Sequence, residues 1–380
     1  MKKYLIILIT FLLPFTVRAE ENLIPNAVSG ILIEANSGKI IYEKEKNKQV
    51  SVASMTKMVA QIIILEEIEK KSIHWEDIVT VSRNASDMGG SQIYLEEGEK
   101  MSVRDLMKGI SVASANDATV ALAEYISGSE EKFVKRMNDK IKKLGLKNTH
   151  FVNCTGLDEE NHYSSSYDMA MIARELITKH PTILEFSSIY EDYLRENTDH
   201  KFWLVNTNKL IRQYNGVDGL KTGHTDQAGY CLAATIERDH LRLIGIVLGE
   251  KDSKIRNKET IDLLDYGFSN VKTRVIEKKN KVVKKISLKK TNLSSINAVL
   301  GEDLVVIEDK NVSLKDYSLK VNINPFTYPL EKDSVIGNVD VYVREKKVSE
   351  AFLLSSSAVR KLSFFEFFER SFSNILMGNF

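Results

Sequence analysis

Ser54-Met55-Thr56-Lys57 sets a hydroxyl and an amine three residues apart, and on a helix residues at i and i+3 share one face. A serine hydroxyl is a weak nucleophile until a neighbouring base takes its proton, and the amine is the nearest candidate. The same spacing recurs at Ser129/Lys132 and Ser287/Lys290, so spacing alone selects nothing. Ser54 differs in opening an apolar run in which Met55, Met58, Val59, Ile62 and Ile63 recur at helical intervals, neighbours that can exclude water. A free lysine has a pKa of about 10.4, and bringing it to about 7–8 costs on the order of 4 kcal/mol. Desolvation against the apolar helix and a second nearby cation would both push that way.

Two further clusters carry suitable groups. Ser114-Ala115-Asn116 lies between two helical stretches, where polar side chains can project into a cleft. Ser114 could carry a proton from Ser54 to a leaving amine, and Asn116 offers an amide to a peptide backbone. Alone, the triplet reads as a helix cap, and Ser82-Arg83-Asn84 and Ser295-Ile296-Asn297 share its pattern. Lys221-Thr222-Gly223-His224 follows the turn-like Gly216-Val217-Asp218-Gly219 and precedes two apolar strands. It therefore reads as an edge strand, a surface to which an extended peptide can add itself, with Gly223 allowing close approach. Alone, Lys221 reads as a surface lysine; it would supply the second cation only in a fold that brings it beside Lys57.

The elements that must position these groups are legible as periodicity. Gly30–Glu34 and Lys39–Glu43 flank the turn residues Ala35-Asn36-Ser37-Gly38 and read as a hairpin. Helical spacing recurs at Val103, Leu106, Met107 and Ile110 and near 129–144, 166–180 and 254–267. Tyr230–Ile236 and Leu241–Leu248 read as buried strands. Strands, then helices, then strands, then a helix imply an α+β fold with helices packed on an antiparallel sheet. Beyond Asn270 the pattern changes to short β-branched runs at Lys281–Ile286, Leu304–Ile307, Leu319–Ile323 and Asn338–Val343, a small all-β domain with a basic first segment. That segment reads as a solvated strand face or as one drawn to an anionic surface.

The chain has 380 residues, and 53 Lys plus Arg against 52 Asp plus Glu leave a formal charge of +1, which removes the electrostatic case for nucleic acid as a partner. A hydrophobic fraction of 43% excludes a disordered chain. Cys154 and Cys231 can make at most one bridge and no CxxC site. No G-x-S-x-G and no H-E-x-x-H is present, and no cofactor or metal is expected. Lys2 and Lys3 before the apolar run Tyr4–Phe15 and small residues to Ala19 read as a cleaved export signal, placing the mature protein outside the cytoplasm. Near the other end, Leu362, Phe364, Phe365, Phe368, Phe372, Ile375 and Leu376 fall in one arc of a helical wheel. Such a helix lies in a membrane interface or docks on the protein's own core, and Ser355-Ser356-Ser357 before it looks like a hinge that favours the membrane.

Together and in this order, S-x-x-K, S-x-N and K-T-G resemble the motif set of penicillin-binding proteins and class A β-lactamases. Gly89-Gly90-Ser91, Phe151-Val152-Asn153, His162-Tyr163-Ser164 and Val217–Thr225 are similar to the low-molecular-weight penicillin-binding proteins, the serine-type D-alanyl-D-alanine carboxypeptidases. The resemblance implies a signal peptide at 1–19, a carboxypeptidase domain at 20–270, a β-rich domain at 271–354 and a peripheral membrane helix at 355–380. It implies Ser54, Lys57 and Ser114 as catalytic residues. Asn116, Lys221, Thr222, Gly223, His224 and Arg256 would bind substrate: backbone N–H groups of Ser54 and His224 form an oxyanion hole, and Lys221, Thr222 and Arg256 meet the terminal carboxylate. The implied partners are the peptidoglycan stem peptide, β-lactams as covalent inhibitors and, through the terminal helix, a membrane surface. A peptidoglycan endopeptidase, a class A-like β-lactamase and a non-catalytic wall-binding scaffold are the alternatives. The β-lactamase lacks support because no E-x-x-x-N run follows the middle motif, and the scaffold because nucleophile and base are both present.

Overall fold

Ile31-Leu32-Ile33 and Leu243–Leu248 are near-continuous apolar runs, the pattern of strands covered on both faces. In the computed structural model, which describes residues 22–310, 316–343 and 345–376, both are inner strands of one antiparallel sheet. Its strands are β1 (Ser29–Glu34), β2 (Ile40–Lys44), β3 (Val217–Thr225), β4 (Gly229–Arg238) and β5 (Leu241–Glu250), in the order β2-β1-β5-β4-β3. The strand β3 carrying Lys221 is thus an edge, as expected. Asp239 and His240, both in the left-handed region at φ 48° and 62°, make the tight turn between β4 and β5. The expected export signal, residues 1–19, lies outside the described residues.

The principal helices of this domain are α1 (Lys57–Glu69), α2 (Asn116–Ser127), α3 (Glu130–Lys143), α4 (Ser166–Lys179) and α5 (Ser253–Asn270). Helix α5 covers one face of the sheet, packing Leu263 and Leu264 on Leu32, Leu232, Leu243 and Val247. The other face meets α1 and α4 in the largest core, where Met58, Ile62, Met169 and Ile172 join Ile31, Ile33, Ala233 and Ile246. Helix α1 is buried on every side from Lys57 to Leu65, since α2, α3 and α4 enclose what the sheet does not. That enclosure brings a lysine to the dry centre of the domain.

The second domain is a five-stranded antiparallel sheet in the order Val282–Ser287, Ser295–Leu300, Lys346–Ser355, Val335–Val343, Ser318–Ile323, accompanied by the pair Val271–Glu277 and Leu304–Asp309. Ser355-Ser356-Ser357 is not a hinge. Ser355 is buried at the end of a strand, its Oγ donates to Ser357 O at 2.7 Å, and Ser356 N donates to Asn297 O at 3.0 Å. The β domain continues through Val359, which is buried and exchanges two backbone hydrogen bonds with Leu330. Helix α6 spans Phe364–Leu376, within the 355–380 expected. Its first turn is a capping box: Glu366 N donates to Ser363 Oγ and Ser363 N donates to Glu366 Oε2 at 2.8 Å. Among the described residues, no side chain of α6 belongs to any of the three apolar cores, and Phe364 and Phe365 are each 78% exposed. No described helix is long and apolar enough to cross a membrane.

Candidate active site

Ser54 does not sit in the α-helix itself. Ala53–Thr56 forms a 3-10 turn that runs into α1, and in 3-10 geometry side chains at i and i+3 eclipse one another. Lys57 Nζ consequently stands 2.8 Å from Ser54 Oγ. The turn begins at Ala53 with φ 47°, and β3 presses directly against it. A Cβ on Gly223 would lie 2.7 Å from Val52 O and 3.3 Å from Ser54 N. Gly223 is therefore needed for the approach of the protein's own backbone to the nucleophile turn, whereas the sequence had suggested approach of the substrate.

Lys57 is fully buried, and its amine reaches one further oxygen, Thr155 O at 2.6 Å. Asn153 holds that carbonyl in place: its Oδ1 accepts from Gly156 N at 2.7 Å and from Thr155 N at 3.2 Å. Between Ser54 and Lys57, Thr56 Oγ1 lies 2.8 Å from His162 Nε2. His162 Nδ1 accepts from Val152 N, so Nε2 carries the ring proton and donates to Thr56. Burial pushes the Lys57 pKa down to about 7, with Cys154 and Asp117 opposing it weakly. Lys221, the second cation, is itself driven well below the ordinary lysine value, by its own burial and then by Lys57 and Arg256, and because repulsion between two amines is mutual it disfavours a charge on both at once.

Ser114 ends a short π-helical turn, Gly109–Ala113, in the left-handed region at φ 63°. It caps no helix. Its Oγ accepts instead from Lys221 Nζ at 2.7 Å, and Lys221 also donates to Thr222 O at 2.9 Å. A cleft of about 330 Å³ opens over these groups, walled by Ser54, Ser114, Thr222, Gly223, His224 and Arg256 together with Ser91, Thr207 and Asn257. Thr222 Oγ1 donates to Thr207 Oγ1 at 2.7 Å, and the His224 and Tyr230 ring centroids lie 4.0 Å apart with the rings tilted by 31°. Arg256 is buried beside the cleft with no carboxylate bonded to it among the described residues; its Nη2 donates to Asn257 Oδ1 at 2.8 Å. Asn116 stands behind the wall, where Nδ2 donates to Gly89 O at 2.7 Å, Asn116 N donates to Ser91 O, and Oδ1 is buried with no partner among the described residues. The triplet thus fastens the 89–91 rim of the cleft.

Comparison with known proteins decides what this arrangement is. Residues 16–252 match the family model described as D-alanyl-D-alanine carboxypeptidase, and residues 272–361 match penicillin-binding protein 5, C-terminal domain. The chain is 45% identical over 349 residues to D-alanyl-D-alanine carboxypeptidase DacF of Bacillus subtilis, covering 91% of this chain and 89% of that one. The chain belongs to the D-alanyl-D-alanine carboxypeptidase family. The crystal structure of penicillin binding protein 5 from Haemophilus influenzae superposes with a TM-score of 0.67 at 31% identity, covering 88% of this chain and 98% of that one. Penicillin-binding protein D2 of Listeria monocytogenes in its ampicillin-bound form is 33% identical over 64% of this chain and 98% of its own, with a TM-score of 0.58.

This serine-type carboxypeptidase also uses residues that sequence reasoning missed. Thr155 contributes only a carbonyl, which no side-chain motif can signal, although its support Asn153 lies in one of the similar stretches. Thr207 follows the short hairpin Glu191–Leu194 and Phe202–Val205, too brief to read as periodicity. Among the described residues, no Asp or Glu lines the cleft and no group of His, Cys, Asp or Glu could hold a metal ion. Cys154 and Cys231 are both buried and free.

Proposed function

We propose that this carboxypeptidase removes the terminal D-alanine of peptidoglycan stem pentapeptides through an acyl-enzyme on Ser54. The single observation that carries this reading is the 2.8 Å approach of a fully buried, readily neutral Lys57 amine to Ser54 Oγ. The neutral amine accepts the Ser54 proton as Oγ attacks the carbonyl carbon of the penultimate residue. The oxygen of that carbonyl gains negative charge, for which the backbone N–H groups of Ser54 and His224 are the donors, a type of contact worth roughly 2.7–4 kcal/mol. Collapse of the tetrahedral adduct breaks the peptide C–N bond, and Ser114, bonded to Lys221, relays a proton to the departing D-alanine nitrogen. Water then attacks the acyl carbon, the same base takes its proton, and Ser54 leaves as the hydroxyl.

Arg256 and Thr222 supply charge and a hydroxyl for the terminal carboxylate, a role that suits a buried guanidinium to which no described carboxylate is bonded. An extended peptide adds along the free edge of β3. A β-lactam presents a strained amide to the same groups, and acylates Ser54 without releasing a fragment that could diffuse away. We place the mature protein outside the cytoplasm, held peripherally at a membrane by α6. Incubation with a labelled penicillin and mass spectrometry tests the core of this reading: a single adduct on the peptide containing Ser54 is expected, with none on Ser54→Ala. D-Alanine release from a soluble pentapeptide should fall on the order of 10³-fold or more in that variant. An adduct on another serine would reject the assignment.

A further inference from the structure

Helix α6 does not hang from the β domain on a loose linker. Leu362 N donates to Lys290 O at 3.0 Å, Thr291 bridges Lys361, and Arg360 N donates to Asn292 Oδ1 at 2.9 Å. The helix start is therefore fixed against the loop that follows the edge strand Val282–Ser287. That strand and loop expose Lys284, Lys285, Lys289 and Lys290, none of which forms an ion pair with a described residue. Lys290 Nζ lies 5.8 Å from the Phe367 ring, a contact that accounts for the one phenylalanine outside the apolar arc of the helix. Glu366, the acid of the first turn, is neutralised by Arg360 at 2.6 Å.

We propose that the edge strand Val282–Ser287, its following loop and helix α6 form one composite docking surface for anionic phospholipid, with Lys284, Lys285, Lys289 and Lys290 meeting the headgroups while the phenylalanines enter the acyl boundary. The proposal rests on the membrane reading of α6 and deepens it by naming the lipid chemistry and a second element of contact. Charge complementarity sets the occupant. Four exposed lysines without acidic partners among the described residues, the last of them against Phe367 on the helix that also exposes Phe364, Phe365, Phe368 and Phe372, match a surface that is negative outside and apolar just beneath. A soluble polyanion would satisfy the lysines and leave the rings in water. The same arrangement gives the edge strand a defence against pairing with another chain, because lysines discourage strand addition.

Sedimentation of the full chain with phosphatidylcholine vesicles, and with vesicles of phosphatidylcholine mixed with phosphatidylglycerol, tests this. The wild type should bind the mixed vesicles more tightly, and added salt should weaken that binding while leaving binding to phosphatidylcholine unchanged. The variant K284Q/K285Q/K289Q/K290Q should lose about fivefold affinity per lysine on mixed vesicles and retain its affinity for phosphatidylcholine. Its thermal unfolding and its D-alanine release from a soluble peptide should match the wild type, which shows that it is folded. Equal wild-type affinity for the two vesicle types at every ionic strength would overturn the proposal and leave the helix as sole anchor. Failure to sediment with either would remove the membrane reading, and the proposal with it. Because the salt arm uses the wild type alone, the outcome holds even if the variant misfolds.

Discussion

Lys57 Nζ stands 2.8 Å from Ser54 Oγ, with no carboxylate bonded to it among the described residues; its second contact is the neutral Thr155 carbonyl. An ammonium in that setting has no solvent and no carboxylate in contact, with Asp117 acting on it only through space, and so the neutral amine is favoured. A base that must be neutral to work gives a rate that rises with pH through its own pKa. The value of kcat/KM for a soluble pentapeptide should therefore climb as pH passes about 7 and level off above it. A profile flat between about pH 5 and 9 would be incompatible with Lys57 as the base.

The same burial has a thermodynamic signature of definite sign. The folded pKa is about 7 and the unfolded one about 10.5, so between these values the unfolded chain binds more protons and stability rises with pH. Below pH 7 the burial cost is fully present, on the order of 5 kcal/mol before any hydrogen-bond gain. Lys57→Met should thus be inactive yet more stable than the wild type. Urea unfolding at about pH 7 and 9 should show its advantage shrinking by roughly 2–3 kcal/mol at the higher value. A gap independent of pH would mean that Lys57 is not held in its neutral form.

Gly223→Ala examines the packing of β3 on the nucleophile turn. The added methyl would meet Val52 O at 2.7 Å and the Ala53 Cβ at 3.2 Å; the first is backbone and the second is fixed to it with no torsion of its own, so neither can give way cheaply. Displacement of Ser54 relative to its oxyanion donor by a fraction of an ångström is expected. The kcat/KM value should fall about 10²-fold, with a loss of stability of about 1–3 kcal/mol. Near-normal kinetics in a folded Gly223→Ala protein would show that the approach is looser than the structure has it.

How much of this could be read from the sequence follows from what kind of signal each part leaves. The central strands β4 and β5 were legible because a strand buried on both faces must be apolar almost throughout, and helices α3 and α4 because a half-buried helix must repeat near 3.6 residues. Ser54, Lys57, Ser114 and Lys221 were legible as chemical types at fixed spacings. The Thr155 carbonyl was not, since backbone atoms carry no residue signature, and neither was the true reason for Gly223, which depends on a loop 170 residues away in sequence meeting β3 in space. The three serines at 355–357 misled for a related reason: small polar residues look like a hinge until the strands that bond them are known.

That correction changes where the chain should be cut to separate anchoring from catalysis. A cut after Ser357 removes Val359, which is buried in the β domain and doubly bonded to Leu330, while a cut after Leu362 keeps both and removes all of α6. The longer form should stay in solution in the presence of vesicles, with the β domain unfolding at the wild-type temperature and D-alanine release unchanged. The shorter form should also leave the vesicles but lose about 2–3 kcal/mol in the β domain, because a core side chain and two backbone hydrogen bonds go with it. Thermal unfolding of the two truncations compares them directly. If both melted alike, Val359 would not be part of the domain, and the segment after Ser355 would be the free tether that its serines suggested.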